Sequence, residues 1–167
     1  MSQVDPLDAP ARTLSLQVVS HLDSVADVLE GFERLRHPQL PEELWVEGQT
    51  ALIEGFTNAV RHAHRDLSPA PPVAIELSLC RDRLSIQIDD HGRDFDMEEA
   101  WERLSEQLAR SDYDPLEREA HWGMVMLLRL QRDRGWSITY RRRNDSGNRL
   151  SISHRIHPAT AGADSAA

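Results

Sequence analysis

Three polar residues, Glu54, Asn58 and His62, recur at four-residue steps within the segment 51–65. On a helix that turns about 100° per residue, their side chains fall within about 80° of one another. The opposite side of this helix carries the apolar residues of the segment, namely Leu52, Phe56, Ala59, Val60 and Ala63. A packed face opposite a stripe that holds a carboxylate, an amide and an imidazole suits a helix at the floor of a ligand pocket. The alternative is a solvated face, which the poor helix propensity of a mid-helix asparagine weakens.

Two glycine-containing stretches farther along the chain could complete such a pocket. Asp90 and Gly92 follow an alternating apolar run, so a carboxylate at the rim of the core would stand beside a turn that lets the backbone approach a ligand closely. Gly123 begins an apolar segment, and the free N–H groups at a helix start suit a phosphate group. Each stretch also has a simpler interpretation, because Asp-x-Gly is a common turn and Gly123 can be an ordinary helix start.

The elements that must position these residues follow from the periodicity of the apolar residues. Alternation predicts strands over 13–20, 73–80, 84–88, 136–143 and 148–156. Helical spacing predicts helices over 22–35, from Pro41 through the segment 51–65, over 97–109 and over 123–133. Ser20 is placed to cap the first of these helices. Hairpins beside helices in this order predict an α+β fold with one sheet covered on one face.

Composition and charge exclude several classes of protein. The chain of 167 residues suits one domain, and it has no apolar run near the roughly 20 residues that a membrane span needs. The single cysteine, Cys80, rules out an intrachain disulfide, and no signal-peptide pattern precedes it, so we expect a cytoplasmic protein. A net charge of −9 argues against direct nucleic-acid binding.

Two further features of the sequence concern its basic residues and its ends. The dense basic run Arg141–Arg143 is interpreted first as an edge strand that charge protects from aggregation, and second as a patch that docks an acidic protein partner. Residues 1–11 and 157–167 are predicted to be disordered, because both ends are rich in proline and small residues and have little to pack.

The motifs together resemble the GHKL ATPase superfamily and, within it, the anti-sigma-factor serine kinases of the sporulation and general-stress type. The segment Glu54–His62 is similar to their N box, Ile88–Asp96 is similar to their first glycine box, and Gly123 opens an apolar helix as in their second. The resemblance covers residues 12–156. It implies a Bergerat-type two-layer sandwich, with a mixed, mainly antiparallel sheet covered on one face by helices and a lid over residues 91–122.

The resemblance also implies a role for each motif residue. Asn58 would ligate Mg²⁺ through its amide oxygen, and Glu54 would be the catalytic base that takes a proton from a serine on a partner protein. Asp90 would accept a hydrogen bond from the adenine amino group of ATP. Gly92 and Gly123 would shape the adenine and phosphate ends, and His62 would line the pocket or approach the phosphate. The implied partners are a sigma factor and an anti-anti-sigma antagonist, and members of the family commonly pair as homodimers.

Three other functions stay open on the sequence. The family's first glycine box usually has a glycine where this chain has Asp94, and its second has one where this chain has His121. These departures favour a non-catalytic binding module that sequesters a partner without ATP turnover. A sensor histidine kinase is disfavoured, because no dimerisation helix pair fits before Thr13. A metal hydrolase is disfavoured too, because His62 and His64 would point about 200° apart on a helix.

Overall fold

The chain forms an antiparallel sheet of five strands with helices against it, which confirms the predicted α+β class. The computed structural model describes residues 11–110 and 122–157. The strands are β1 (Arg12–Val18), β2 (Val73–Cys80), β3 (Arg83–Asp90), β4 (Ser137–Arg142) and β5 (Asn148–Arg155). The helices are α1 (Val25–Glu33), α2 (Glu42–Asn58), α3 (Met97–Leu108) and α4 (Trp122–Asp133), with a 3₁₀ turn at Leu22–Ser24 and a π turn at Ala59–Ala63.

The order of the strands in the sheet is β1-β2-β3-β5-β4, and all four described pairings are antiparallel. The expected mixed sheet is therefore antiparallel throughout the described residues. Because β5 lies between β3 and β4, Asn148 at its start pairs with Asp90 on one side and with Arg142 on the other. This register brings Asp90 into one row with two polar residues of the β4–β5 hairpin at the end of the sheet.

The core lies between one face of the sheet and the helices, and α2 packs closely against the sheet at Gly55. A Cβ atom at Gly55 would lie 2.6 Å from Cδ1 of Ile88 and 2.8 Å from Cδ2 of Leu150. A larger residue would therefore push the helix away from the sheet. This close approach carries Glu54 and Asn58, the neighbours of Gly55 on α2, toward the end of β3 at which Asp90 lies.

The predicted helix over 41–65 ends earlier than expected as an α-helix. It changes at Asn58 into the π turn, in which the His64 amide donates to the Ala59 carbonyl oxygen at 2.9 Å. The predicted cap at Ser20 is wrong, because the His21 ring accepts from the Asp23 amide at 3.2 Å instead. The predictions for residues 1–10, 158–167 and the lid segment 111–121 lie outside the described residues.

Candidate functional site

A cavity of about 840 Å³ lies where the end of α2, the π turn and the end of β3 face α3 and α4. Four of the six predicted site residues line it, namely Asn58, His62, Asp90 and Gly92. Glu54 and Gly123 are described residues that lie beside this cavity and not in its wall. The volume is within the range of small-molecule sites, so one ligand of nucleotide size fits this space.

Asp90 is the buried acceptor of the cavity. Its Oδ1 accepts from the Gly92 amide at 2.8 Å and from Nδ2 of Asn148 at 3.0 Å, and its Oδ2 accepts from the Tyr140 hydroxyl at 2.5 Å. Burial raises the pKa of Tyr140, and the hydrogen bond to Asp90 raises it further, so this phenol remains a donor. A carboxylate oxygen has two lone pairs, so Oδ2 can accept one more donor from a ligand in the cavity.

The turn after β3 is held in place from two sides. The carbonyl oxygen of Gly92 accepts from Nη1 of Arg142 at 2.8 Å, while Nδ2 of Asn148 also donates to the Arg93 carbonyl at 2.9 Å. A Cβ atom at Gly92 would lie 2.7 Å from Cβ and 2.8 Å from Cα of Ala63. Only glycine lets this turn pack directly against the π turn, so the sequence Asp-x-Gly has a structural reason here beyond turn formation.

His64 joins the π turn to this same segment, a contact that sequence reasoning missed. The side chain is buried; its Nε2 accepts from the His91 amide at 2.9 Å, and its Nδ1 is 2.9 Å from the Ser20 hydroxyl. Because Nε2 accepts, the proton of the neutral ring is on Nδ1 and is donated to Ser20. Burial lowers the pKa of His64 and the nearby His91 lowers it further, whereas the Asp90 carboxylate raises it.

The contact of His64 depends on the extra residue in the π turn. A regular helix through residue 65 would turn this side chain out of the core, and the sequence offers no periodic signal for the change. π turns of this kind often occur at functional sites. His62 is exposed and lines the cavity, so the two histidines serve different surfaces.

Glu54, Asn58 and Gly123 converge at the first turn of α4. A Cβ atom at Gly123 would overlap Oε2 of Glu54, and it would lie 3.0 Å from Cδ of Glu54 and 3.8 Å from Oδ1 of Asn58. Burial raises the pKa of the Glu54 carboxyl, and the charge of Arg61 opposes that shift. A desolvated carboxyl beside an amide oxygen is an arrangement that can exchange a proton with a reacting group.

The side chains at the cavity suit a hard cation that arrives bound to a ligand, rather than one held by the protein alone. Within residues 11–110 and 122–157, no three His, Cys, Asp or Glu side chains form a metal cluster. Asn58 lines the cavity, and its side chain carries an amide oxygen, which is a ligand type that Mg²⁺ accepts. An ion at this position would therefore be held by Asn58 together with ligand oxygens and water.

The segment expected to form a lid contributes partly to the cavity. Asp94, Phe95 and the α3 residue Met97 line the cavity, and Phe95 packs edge-on against Tyr140 with ring centroids 6.0 Å apart. Asp94 is exposed at the wall and adds a negative charge there. His121 lies outside the described residues.

A family model described as a histidine kinase-like ATPase domain matches residues 18–154, which is most of the chain. No curated protein matches the sequence. Within the described part of the chain, no helix is both long and apolar enough to cross a membrane.

Proposed function

The chain belongs to the histidine kinase-like ATPase domain family, and on that premise we propose that it is an anti-sigma regulatory serine/threonine protein kinase. It would bind Mg-ATP, sequester a sigma factor and phosphorylate an anti-anti-sigma antagonist in the cytoplasm. The observation that carries this proposal is that one cavity has Asp90 and Asn58 in its wall and Glu54 one turn behind Asn58.

Each end of the cavity would hold one part of the nucleotide. The free acceptor position on Oδ2 of Asp90 suits the amino group of adenine, while Asn58 suits the magnesium ion. When bound, Mg²⁺ would neutralise charge on the phosphate oxygens, which is the main requirement of phosphoryl transfer. Asn58 and Asp90 would thus fix the two ends of the nucleotide in one orientation.

Glu54 would supply the acid–base chemistry. As the serine oxygen of the partner bonds to the γ-phosphorus, the bond to the ADP oxygen breaks and the hydroxyl proton passes to Glu54. The raised pKa of Glu54 favours this role, because a base works best when its pKa lies closer to the pH of the reaction.

Calorimetry with ATP and Mg²⁺ tests the binding half of the proposal. Asn58→Ala is expected to weaken Mg-ATP binding by at least about tenfold, since it removes the amide ligand. Asn144→Ala is the matched control, because Asn144 lies in an exposed turn and does not line the cavity. Equal affinity of the two variants would contradict the assigned role of Asn58.

Phosphate transfer from labelled ATP to candidate antagonist proteins tests the kinase half. Glu54→Gln is expected to lower transfer by about 100-fold or more while ATP binding remains, because only the base is lost. Glu102→Gln on the exposed side of α3 is the control. If the wild-type protein transfers no phosphate to any candidate antagonist, the kinase half of the proposal is wrong.

A second candidate is a non-catalytic module of the same fold that acts by sequestration. It is favoured by the position of Glu54, whose carboxylate packs against Gly123 beside the cavity, and by the negative charge of Asp94 at the wall. This module would bind its partner without nucleotide. Saturable Mg-ATP binding at physiological nucleotide concentration would remove its main support.

A further inference from the structure

Four arginines form a concave patch where the β4–β5 hairpin turns. Arg141, Arg142 and Arg143 meet Arg149 of β5 around a cleft of about 370 Å³, which we call the arginine cleft. Arg141 pairs directly with Arg149 across the two strands. Like charges at opposed positions destabilise a sheet; Asp89 is bonded to Arg149, and an anion beside Arg141 would lower the repulsion that remains.

Most of these arginines are already held in position. Asp89 accepts from Nε of Arg149 at 2.7 Å and from Nη2 at 2.8 Å, and it also pairs with Nη1 of Arg143 at 3.1 Å. Arg143 pairs with Asp145 as well, and Arg142 is bonded to the carbonyl oxygen of Gly92. Side chains fixed before binding lose less conformational entropy when a ligand arrives.

The charges of the cleft do not balance. Three carboxylates, Asp89, Asp145 and the nearby Glu76, act on four guanidinium groups, which leaves an excess of one positive charge among the described residues. The Arg141 side chain is exposed and makes no hydrogen bond or ion pair with any residue in the described ranges. The cleft is thus a local cationic site on a chain whose net charge is −9.

We propose that the arginine cleft binds a short acidic segment of a protein partner. The excess positive charge matches a short acidic segment, and arginine binds carboxylates with paired hydrogen bonds. An extended polyanion such as nucleic acid would meet the repulsion of the remaining acidic surface. In addition, β4 lies at the edge of the sheet that the described strands form, so an extended segment can lie along it and form backbone hydrogen bonds.

The cleft lies next to the cavity but is a separate site. Arg142 lines both, so an occupant of the cleft would lie one side chain away from the Gly92 turn. Binding to the cleft does not require a nucleotide, however. The proposal therefore stands or fails independently of the kinase function, provided that the test uses nucleotide-free protein.

Fluorescence anisotropy with a labelled eight-residue peptide that contains four aspartates tests the proposal. We expect saturable binding to the full chain, and the same peptide with asparagine at the four positions should bind about tenfold more weakly. Arg141→Glu should weaken binding of the aspartate peptide by about fivefold or more. Because the Arg141 side chain is exposed and makes no hydrogen bond or ion pair with the described residues, this variant should keep the fold, which circular dichroism checks.

Arg155→Glu is the matched control for the charge change. Arg155 is exposed and lies on the same face of β5 as Arg149, six residues farther along the strand. It pairs with Arg83, so it also faces a like charge, but it is outside the cleft. Its replacement should change the affinity by less than about twofold. The proposal is overturned by an absence of saturable peptide binding or by an equal loss in Arg155→Glu. Tighter binding of an eight-nucleotide single strand through Arg141 would also overturn it.

Discussion

The two ends of the cavity are built in opposite ways. At the Asp90 end, comprising Asp90, Gly92, Tyr140 and Asn148, three donors are aimed at one buried carboxylate. At the Glu54 end, comprising Glu54, Asn58 and Gly123, the carboxylate makes no side-chain hydrogen bond or ion pair with the described residues and burial raises its pKa. The first end is fixed by its own interactions, whereas the second keeps a carboxyl group available for chemistry.

The two ends also differ in the atoms that crowd a glycine at each of them. A Cβ atom at Gly147 would overlap the backbone oxygen of Asp90, which cannot move without disturbing β3. A Cβ atom at Gly123 would overlap Oε2 of Glu54, which is the far end of a flexible side chain. Equal crowding should therefore cost stability at the Asp90 end and mainly displace a functional group at the Glu54 end.

Gly147→Ala is expected to have the largest effect on stability. The residue has a φ of 85°, which a side chain disfavours, and the new methyl group would also strike the Asp90 backbone. Together these should lower the free energy of unfolding by about 4 kcal/mol, as measured by urea denaturation. Gly135→Ala separates the two causes, since Gly135 has a similar φ of 74° but its nearest contact is at 3.6 Å. Equal losses in both variants would show that the overlap with Asp90 costs nothing.

Tyr140→Phe should have the next largest effect. It removes the hydroxyl that donates to Oδ2 of Asp90 and keeps the ring, so the free energy of unfolding should fall by about 2 kcal/mol.

Glu54→Gln is the opposite test at the Glu54 end. Because burial raises the pKa of Glu54, removing that charge should leave the free energy of unfolding at neutral pH unchanged or higher. Denaturation curves that show the reverse order would contradict the comparison.

The order of elements could be predicted from the sequence because it depends on local periodicity. Alternation in β2 and β5 and helical spacing in α3 and α4 are properties of short segments, and the observed bounds differ from the predicted ones by at most one residue. The polar stripe is equally local: Glu54, Asn58 and His62 were predicted to share one helical surface, and the structure places Asn58 and His62 in the cavity wall, with His62 in the π turn and Glu54 beside the cavity.

The contacts that complete the site could not be predicted, because they join distant parts of the chain. Tyr140 reaches Asp90 only because β5 lies between β3 and β4, and alternation within one strand carries no information on strand order. His64 reaches His91 only because the π turn adds a residue to the helical repeat. A sequence prediction that assumes a regular helix necessarily turns His64 away from that contact.

The pH dependence of stability should reveal the contribution of His64 to the Asp90 end. Its pKa is lowered in the folded state, so the unfolded chain binds more protons and stability falls as the pH decreases. The contribution of His64 is complete above about pH 6.5 and is lost as the pH drops through its lowered folded value. The slope from this residue is at most about 1.4 kcal/mol per pH unit.

His64→Gln isolates this contribution, because glutamine can hydrogen-bond but does not titrate. Urea denaturation between pH 5.5 and 7.5 should give a smaller loss of stability on acidification for the variant than for the wild type. The His91 amide loses its acceptor when the His64 ring takes up its second proton, which is the physical cause of the effect. Parallel pH curves for the two proteins would exclude His64 as the titrating group.

Gly123→Ala should have the smallest effect on stability and still alter function. The new methyl group can be accommodated by rotation of the Glu54 side chain, and Gly-to-Ala substitution favours the helix by up to about 1 kcal/mol, so the net change in unfolding free energy should be within about 0.5 kcal/mol. The displaced carboxylate should nevertheless lower phosphate transfer toward the level of Glu54→Gln, with Mg-ATP affinity retained. A loss of stability as large as that of Gly147→Ala would mean that the Glu54 end is as rigid as the Asp90 end, since a mobile carboxylate is what separates the two.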